Sequence, residues 1–393
     1  MNYIEQLIQD KCPDGVEFYP LGSIVNVLDS KRKPVTKSQR QSGIYPYYGA
    51  NGIQDYVSEY IFDGTFILMG EDGSVINKDN SPILNWAEGK IWVNNHSHIL
   101  EQKSEEFNLR YIYYYLSSVD VSELVHGTPP KLNQENMKGI MIGVPPIEIQ
   151  LEIVKVLDNF SELTAELTAE LTARKEQYDY YINKVFDLNC EYSTILDILQ
   201  PKGYIRGPFG SAIVKADMQP SGVPVYEQQH SIYNHREFRY FITPEKAKSL
   251  ERFSVKTDDL VISCSGTVGK ITIIKPDDEK GIINQALLIL RLDTTKAYPE
   301  YVKYFLESPK GYSLLTSKTN KSAQVNICQR SEIETIEIPT PSLDEQKEII
   351  EMLNKFDMLV NDLKDGLPAE IEARRQQYEY YRNKLLTFKR KEN

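Results

Sequence analysis

Two long stretches of the sequence place apolar and aromatic residues at alternating steps of four and three. The first stretch, from about residue 148 to residue 186, contains neither glycine nor proline. Steps of three and four bring side chains onto one face of an α-helix, so this spacing predicts a long helix with a continuous apolar seam. The seam of the first stretch includes Leu157, Phe160, Leu167, Leu171, Tyr178 and Tyr181.

The second stretch, within residues 338–393, repeats the pattern with four additional residues. Its seam includes Leu353, Phe356, Leu363, Tyr378 and Tyr381. One extra step of four follows Leu363, which in a coiled coil is a stutter. Gly366 and Pro368 lie at the same place, and a proline inside a helix removes a hydrogen bond and clashes with the preceding turn. We therefore expect the second helix to be broken near residues 366–368, where the symmetry of the two copies is also lost.

The two stretches are copies of one another. Residues 174–185 and 374–385 are identical at seven of twelve positions, at a spacing of 200. Residues 150–160 match residues 346–356 at a spacing of 196, so the four extra residues lie between the two matches. The chain is thus a globular domain followed by a helix, and then the same pair again.

The boundaries predicted from this repeat are 1–143, 144–186, 187–337 and 338–393. Both globular regions contain short β-rich runs, dense turn signals and a helix near their ends, which predicts two mixed α/β domains. The predicted strands are Thr65–Met69, Lys90–Val93, Leu260–Ser263, Lys270–Ile274 and Ala286–Leu292, and the predicted helices are Asn108–Ser117 and Tyr298–Glu307.

Each apolar seam needs a partner, because apolar surface left in water is unfavourable. Two copies related by a pseudo-twofold axis would form an antiparallel coiled coil, with the globular domains at opposite ends. In the alternative, each helix packs only on its own domain. The seams are too long for domains of this size to cover, which favours the coiled coil.

The charge distribution limits how the chain could bind nucleic acid. The net charge is −11; residues 1–143 contain 12 Lys and Arg against 18 Asp and Glu, and residues 187–337 contain 19 of each. A DNA-binding face would therefore be a local basic patch on an acidic protein. The four cysteines are widely separated, no apolar run is long enough to cross a bilayer, and the N-terminal residues do not resemble an export signal. These features favour a cytoplasmic protein without membrane contact.

Polar loops in both globular regions combine basic, amide and aromatic side chains, which bind phosphates and the edges of bases. In the first region the candidates for DNA contact are Lys31, Arg32, Lys33, Tyr48, Asn51, Asn94, Asn95, His96 and Lys131. In the second region they are Arg206, Ser211, Lys215, Gln228, Gln229 and Lys321. For any single residue an ordinary solvated loop position is an equal alternative, so the prediction depends on the clustering.

Motifs for catalysis or metal binding are absent or incomplete. The run from Ser265 to Ile271 is similar to a phosphate-binding loop, but it lacks the first glycine and the hydroxyl residue after Lys270. His96 and His98 could donate two metal ligands, but no third ligand accompanies them in the pattern. We therefore expect a non-catalytic chain without a metal site.

Several short motifs together carry a family resemblance that extends over essentially the whole chain. In the helices they are the proline-to-glutamine spacings Pro145–Gln150 and Pro341–Gln346, the Gln-Tyr-x-Tyr-Tyr blocks at 177–181 and 377–381, the run Gly366–Ile371, and a Thr-Ala-Glu-Leu tandem at 164–171. In the domains they are the runs at 48–52, 206–211 and 266–270. In these motifs the chain resembles the specificity (S) subunits of type I restriction–modification enzymes.

The resemblance implies that residues 1–143 and 187–337 are target-recognition domains, each binding one half of a split double-stranded DNA target. Because the domains differ in sequence, that target would be asymmetric. The helices would dock two methyltransferase (M) subunits, which carry S-adenosylmethionine, and two motor–nuclease (R) subunits using ATP and Mg²⁺ would join for cleavage. The chain itself would hold no cofactor. A stand-alone DNA-binding regulator and a coiled-coil adaptor without enzyme partners are the alternatives.

The Thr-Ala-Glu-Leu tandem suggests how the spacing of the DNA target could be set. Each four-residue unit extends a helix by roughly 6 Å. If the helix determines the distance between two DNA-binding domains, gain or loss of one unit corresponds to one or two base pairs. The alternative is that these residues are present only because alanine, leucine and glutamate favour helix formation.

Overall fold

The computed structural model describes residues 2–209, 212–318, 325–362 and 365–392. The chain forms two compact units, the first made of Met1–Thr168 with Glu370–Asn393 and the second of Ala169–Ala369. The unit borders fall inside the helical stretches, so each unit contains one globular region and parts of both stretches. The boundaries at 143, 186 and 337 remain predictions.

The first unit begins with a helix and continues as a strand-rich domain. Its elements are α1 (Asn2–Lys11), β1 (Glu17–Pro20), α2 (Leu21–Ile24), β2 (Val25–Val27), β3 (Ser42–Gly49), β4 (Gly52–Val57), β5 (Phe62–Gly70), β6 (Leu84–Val93), β7 (Ser97–Gln102), α3 (Leu109–Leu116), α4 (Gln134–Lys138) and β8 (Met141–Val144), followed by the first part of α5 (Ile147–Lys184). Elements of the second unit are numbered onward from β9 and α6, and the first unit closes with α13 (Leu367–Leu386).

A six-stranded sheet organises this unit in the order β2-β7-β5-β6-β3-β4. Only β3 and β6 run parallel among these strands. Along β5, Phe66 and Leu68 enter one core, whereas Ile67 and Met69 enter another that also contains residues of α3 and α5. This alternation follows from the two-residue period of a strand and gives the sheet two buried faces.

The second unit has a comparable composition of short elements. They are the end of α5, β9 (Tyr192–Thr194), α6 (Ile195–Ile198), β10 (Leu199–Arg206), β11 (Val223–Tyr226), α7 (Gln228–Ile232), β12 (Phe241–Ile242), α8 (Pro244–Ser249), β13 (Leu260–Ser263), β14 (Ile271–Ile273), β15 (Ile282–Ile283), β16 (Leu287–Leu292), α9 (Pro299–Glu307), α10 (Pro309–Leu315), β17 (Thr316–Lys318), β18 (Val325–Ile327), α11 (Arg330–Glu334), β19 (Glu337–Pro339) and α12 (Leu343–Asn361).

An antiparallel sheet in the order β10-β16-β13-β14 forms the centre of the second unit. A smaller sheet, β12-β11-β15, packs nearby around its own apolar residues. In β13, Leu260 and Ile262 enter the core shared with α9, and Val261 enters a second core. The predicted strands and helices all coincide with or overlap elements of the structure, and the mixed α/β class is confirmed.

The long helices follow the predicted pattern. Helix α5 is continuous over 38 residues, whereas the second stretch is divided into α12 and α13, with Gly366 at the break. A Cβ atom at Gly366 would lie 2.5 Å from the Met358 carbonyl oxygen, so only glycine fits this close backbone approach. The predicted interruption is confirmed; the seam residue Leu363 lies outside the described residues.

A buried glutamine fixes the start of each helical stretch in the same way. In the first unit, the Gln150 side-chain oxygen accepts a hydrogen bond from the Asn108 N–H at 2.9 Å. Its amide nitrogen donates to the carbonyl oxygens of Glu106 and Pro145, at 2.9 and 2.8 Å. Together these bonds tie the loop before α3 to the proline that precedes α5.

The second unit repeats this set of three hydrogen bonds. Gln346 accepts from the Tyr298 N–H at 3.0 Å and donates to the Lys296 and Pro341 carbonyl oxygens at 3.1 and 3.0 Å. Both glutamines are almost completely buried, where an unpaired amide would be costly. The proline-to-glutamine motif is therefore a structural connection between domain and helix.

Equivalent ring contacts show how the two helical stretches pair within each unit. In the first unit, Phe160 stacks on Tyr381 with ring centres 5.4 Å apart. In the second unit, Phe356 packs on Tyr181 at 5.3 Å. Phe160 and Phe356 are corresponding positions of the repeat, as are Tyr181 and Tyr381. Each copy therefore supplies the phenylalanine to one unit and the tyrosine to the other, as a pseudo-twofold repeat requires.

The remaining seam positions are covered to different degrees. Leu157 and Leu353 are completely buried in the cores of their own units. The other described seam residues that the sequence identified are half-buried: Phe160, Leu167, Leu171, Tyr178, Tyr181, Phe356, Tyr378 and Tyr381.

Candidate nucleic-acid interface

Several loops of the first unit meet around Arg32. Its guanidinium contacts one carboxylate oxygen of Glu71 and donates a hydrogen bond to the Ser97 carbonyl oxygen at 2.9 Å. The Lys131 ammonium lies 3.3 Å from the other Glu71 oxygen. Arg32 is only partly exposed, and its charge is balanced by a carboxylate. These internal contacts hold the loops around Arg32 together, and direct contact of Arg32 with DNA stays a prediction.

Beneath Arg32, Asp29 and His98 form a buried pair. The His98 Nδ1 atom lies 2.6 Å from an Asp29 carboxylate oxygen, and Nε2 lies 2.8 Å from the Leu132 carbonyl oxygen. Burial opposes ionisation of Asp29, but hydrogen bonds from His98 and Gln134 and the His98 charge outweigh it and lower the Asp29 pKa. Both partners of the imidazole, a carboxylate and a carbonyl oxygen, are hydrogen-bond acceptors.

Asp29, Glu71 and His98 are residue types that bind metal ions, but the charges around them differ from those of a metal site. Asp29, Glu71 and His98 each place one ligand-type atom within 4.8 Å of the others. However, the two ring nitrogens and both carboxylates are engaged by internal partners, and Arg32 and Lys131 already supply positive charge. The cluster is therefore an ion-pair network that orders the loops.

Other candidates of this unit have exposed side chains. Lys31, Lys33, Asn51 and Asn95 are exposed, and no ion pair involves the two lysines within the described residues. The His96 ring is also exposed and contacts the Asp72 carboxylate. Lys131 is exposed although it pairs with Glu71. These side chains are available to bind phosphate or base edges.

Two sequence candidates of this unit, Tyr48 and Asn94, are buried. Tyr48 is 9% exposed and packs in the sheet core with Phe62 and Ile91. Asn94 is 4% exposed, and its side-chain oxygen accepts a hydrogen bond from the His96 N–H at 2.8 Å, which shapes the turn after β6. A pattern of polar and aromatic residues cannot distinguish such turn-forming side chains from exposed ones. Their burial argues against direct contact with DNA, which stays a prediction for both.

In the second unit, Arg206 and Lys215 are exposed, and Gln228 and Gln229 lie partly exposed at the start of α7. The Gln228 side-chain oxygen accepts a hydrogen bond from the Ser265 hydroxyl at 2.7 Å. This bond orients the amide of Gln228 beside the exposed loop at Ser265. The candidates Ser211 and Lys321 lie outside the described residues.

A different ion pair orders the loops of this unit, and sequence reasoning missed it. Arg239 donates two hydrogen bonds to the Glu227 carboxylate, at 2.8 and 2.9 Å. Next to it, His230 is completely buried, accepts from the Glu227 N–H at 2.8 Å and lies 3.0 Å from the Glu237 carbonyl oxygen. Burial lowers the His230 pKa, so the ring is neutral. In the sequence, the two basic residues Arg236 and Arg239 could have indicated an ion pair in this loop.

The helices also expose large side chains that lie outside the seam. Tyr180 is 62% exposed and Tyr380, at the corresponding position of the repeat, is 60% exposed. Met358 on α12 is 57% exposed. Each unit therefore exposes one of these two equivalent tyrosines on its helix. In the sequence, Tyr180 and Tyr380 lie outside the four-and-three spacing of the seam, and this position could have predicted their exposure.

The fold and these surfaces define a class: a duplicated mixed α/β protein whose divergent domains carry polar loops and whose helices pair across the repeat. The sequence profile of the type I restriction–modification DNA specificity domain matches residues 13–176 and 209–373. The chain belongs to this family, that of type I restriction–modification specificity subunits.

Relatives of the chain are similar over their full length. A Haemophilus influenzae protein that carries the name of a type I restriction enzyme specificity subunit is 33% identical, with 98% of both chains covered. The specificity subunit of the Escherichia coli type I restriction enzyme EcoR124I/EcoR124II is 25% identical, with 100% of this chain and 98% of the relative covered.

Solved structures share the fold. The S subunit of a type I restriction–modification system from M. genitalium superimposes with a TM-score of 0.60 at 14% identity, covering 95% of this chain and 96% of that one. The HsdS subunit of Thermoanaerobacter tengcongensis gives a TM-score of 0.51 at 14% identity, with 95% and 96% covered. Among the described residues, none of the helices has both the length and the apolar content to span a membrane.

Proposed function

We propose that this chain confers DNA sequence specificity on a type I restriction–modification complex by binding a bipartite, asymmetric target. The observation that carries the proposal is the contrast between the two units. The connections to the helices are repeated bond for bond at Gln150 and Gln346, whereas the loop networks around Glu71 and Glu227 differ in every partner. A repeated attachment that carries different loops is what two different half-sites require.

In this proposal, residues 1–143 and 187–337 each bind one half-site through major-groove and phosphate contacts. In the first domain the contacts are Lys31, Lys33, Asn51, Asn95, His96 and Lys131, and Arg32 orders the loop that carries Asn95 and His96 through bonds to the Asn95 and Ser97 carbonyl oxygens. In the second they are Arg206, Lys215, Gln228 and Gln229, together with Ser211 and Lys321. Both domains would bind double-stranded DNA chiefly through local basic patches, since the chain is acidic overall.

The helices dock two methyltransferase subunits in this proposal, and two motor–nuclease subunits join the complex for cleavage. Several seam rings are occupied by contacts within each unit, so Tyr180 and Met358 on the second unit and Tyr380 on the first, which are all exposed, are better candidates for docking. The S-adenosylmethionine, ATP and Mg²⁺ belong to the partner subunits, and this chain has no catalytic role.

Methylome sequencing tests the proposal directly. A host that carries the chain with its methyltransferase partner should show adenine methylation in a two-part motif with an unread spacer. The motif should disappear when the chain is deleted and should change on one side only when residues 187–337 are replaced by those of a relative. A single contiguous palindromic motif would refute the model of two domains with different half-sites.

A further inference from the structure

A cleft of about 850 Å³ on the second unit combines aromatic rings with cationic side chains. The chemistry of the cleft comes from three rings and three guanidinium groups: Tyr204, Phe209, Phe253, Arg206, Arg252 and Arg330. No acidic residue is among those that line it. On a chain with a net charge of −11, this is a distinct positive and aromatic surface.

Phe209 is the unusual member of this cleft. Its side chain is 91% exposed, the largest value of any large apolar residue among those described. It follows β10, in which the backbone of Arg206 pairs with Leu288 of β16, so its attachment point belongs to the central sheet. An aromatic ring that extends from a sheet into solvent contributes little to the stability of the fold, because it buries little apolar area. Its ring faces are free to pack on a ligand.

The guanidinium groups are partly positioned by internal bonds. Arg206 donates to the Leu287 carbonyl oxygen at 3.0 Å. Arg330 donates to the Glu334 carboxylate at 2.8 Å and lies 5.0 Å from the centre of the Tyr204 ring. Glu334 balances the charge of Arg330, whereas no acidic partner is present for Arg206 or Arg252 among the described residues. Two uncompensated cations therefore lie beside the exposed ring.

We propose that this cleft binds one unstacked nucleotide of DNA, with the base on the Phe209 ring and the phosphate at Arg206 and Arg252. Stacking on an aromatic ring together with an arginine on the phosphate is the chemistry by which proteins hold nucleotides that have left the duplex stack. In duplex DNA the planar faces of the bases are covered by their stacked neighbours. An intact DNA duplex therefore has no base face that could stack on the Phe209 ring. The inference rests on the proposed function, because the bound target DNA supplies the nucleotide.

A fluorescein-labelled ten-residue thymidine oligonucleotide is the probe, titrated with the full chain at several salt concentrations. Phe209→Ala should weaken binding about tenfold, which is the usual effect of removing one stacking partner. Phe209→Trp should retain it. Arg252→Gln should reduce the slope of log affinity against log salt by about 0.7, the value for one phosphate contact on a single strand. The matched control is Tyr192→Ala, an exposed aromatic residue of this unit outside the cleft.

The outcomes separate this inference from the proposed function. Equal affinity of the wild type and Phe209→Ala, with the two-part methylation motif present, would overturn the cleft assignment alone. Phe209-dependent binding without such a motif would retain the cleft and overturn the specificity function. Competition by free deoxynucleotide monophosphate at micromolar concentrations would also overturn the assignment to a nucleotide of DNA. Because Phe209 is so exposed, its replacement does not remove a packing contact from the core.

Discussion

At the scale of single residues, the two buried glutamines each link a domain to its helix through three hydrogen bonds. We expect Gln150→Ala to lower the free energy of unfolding of the first unit by about 2–4 kcal/mol, because a backbone N–H and two carbonyl oxygens lose their partner in a buried site. Gln346→Ala should have the same effect on the second unit. Thermal or chemical denaturation measures the change.

The exposed Gln376 provides the control for these glutamines. It donates only to the Glu372 side chain on the surface of α13, so Gln376→Ala should change stability by less than about 0.5 kcal/mol. A Gln150→Ala variant as stable as Gln376→Ala would contradict the structural role of the motif.

Histidine 230 should make the second unit sensitive to mild acid. Burial lowers its pKa below the unfolded value of 6.5, so below that pH the unfolded chain takes up a proton that the folded unit resists. The His230 contribution to stability is therefore present above pH 6.5 and is lost as the pH falls below it. Melting temperatures between pH 8 and pH 5 should fall less steeply for His230→Gln than for the wild type. Parallel curves would show that His230 is not responsible.

At the scale of secondary-structure elements, the break between α12 and α13 depends on Gly366. A Cβ atom there would lie 2.5 Å from the Met358 carbonyl oxygen and 2.7 Å from that of Asp362. Gly366→Ala should therefore lower the free energy of unfolding by about 1–3 kcal/mol through steric strain. Gly139→Ala is the matched control, since its Cβ would meet its nearest neighbour at an ordinary 3.5 Å. Similar melting temperatures for both variants would argue against a specific role of Gly366.

The outward-facing tyrosines of the two helices provide a test of subunit docking. A Tyr180→Ala, Tyr380→Ala double variant should lose co-purification with the methyltransferase partner while keeping its melting temperature, because both side chains are more than half exposed. The comparison variant replaces Tyr3, which is 60% exposed on α1, by alanine. Undiminished co-purification of the double variant would place the docking surface elsewhere.

At the scale of the whole molecule, the Thr-Ala-Glu-Leu tandem links helix length to DNA spacing. Deleting Thr168–Leu171 shortens α5 by about 6 Å and turns its end by about 40° relative to whole turns. We expect the methylation motif to keep both half-sites and to change its unread spacer by one or two base pairs. Thr168→Ala, which preserves helix length, should leave the motif unchanged. A changed half-site after the deletion would contradict a purely spacing role.

The sequence by itself determined the architecture. The repeat of helices, the interruption near Gly366, the two mixed α/β domains and the family resemblance all follow from local features: the period of apolar residues, proline and glycine placement, and short motifs. Such features can be recognised in a single sequence because the helix and strand periods depend on residues that are close along the chain.

Only the tertiary structure decided which polar residues are available for binding. Tyr48 and Asn94 belong to exposed-looking motifs but are buried, and the charge of Arg32 is held by Glu71, which lies 39 positions away in the sequence. Conversely, Phe209 and Arg252 form one cleft although the strands and loops between them separate the two residues. Burial and ion pairing depend on contacts between distant segments, which no local pattern contains.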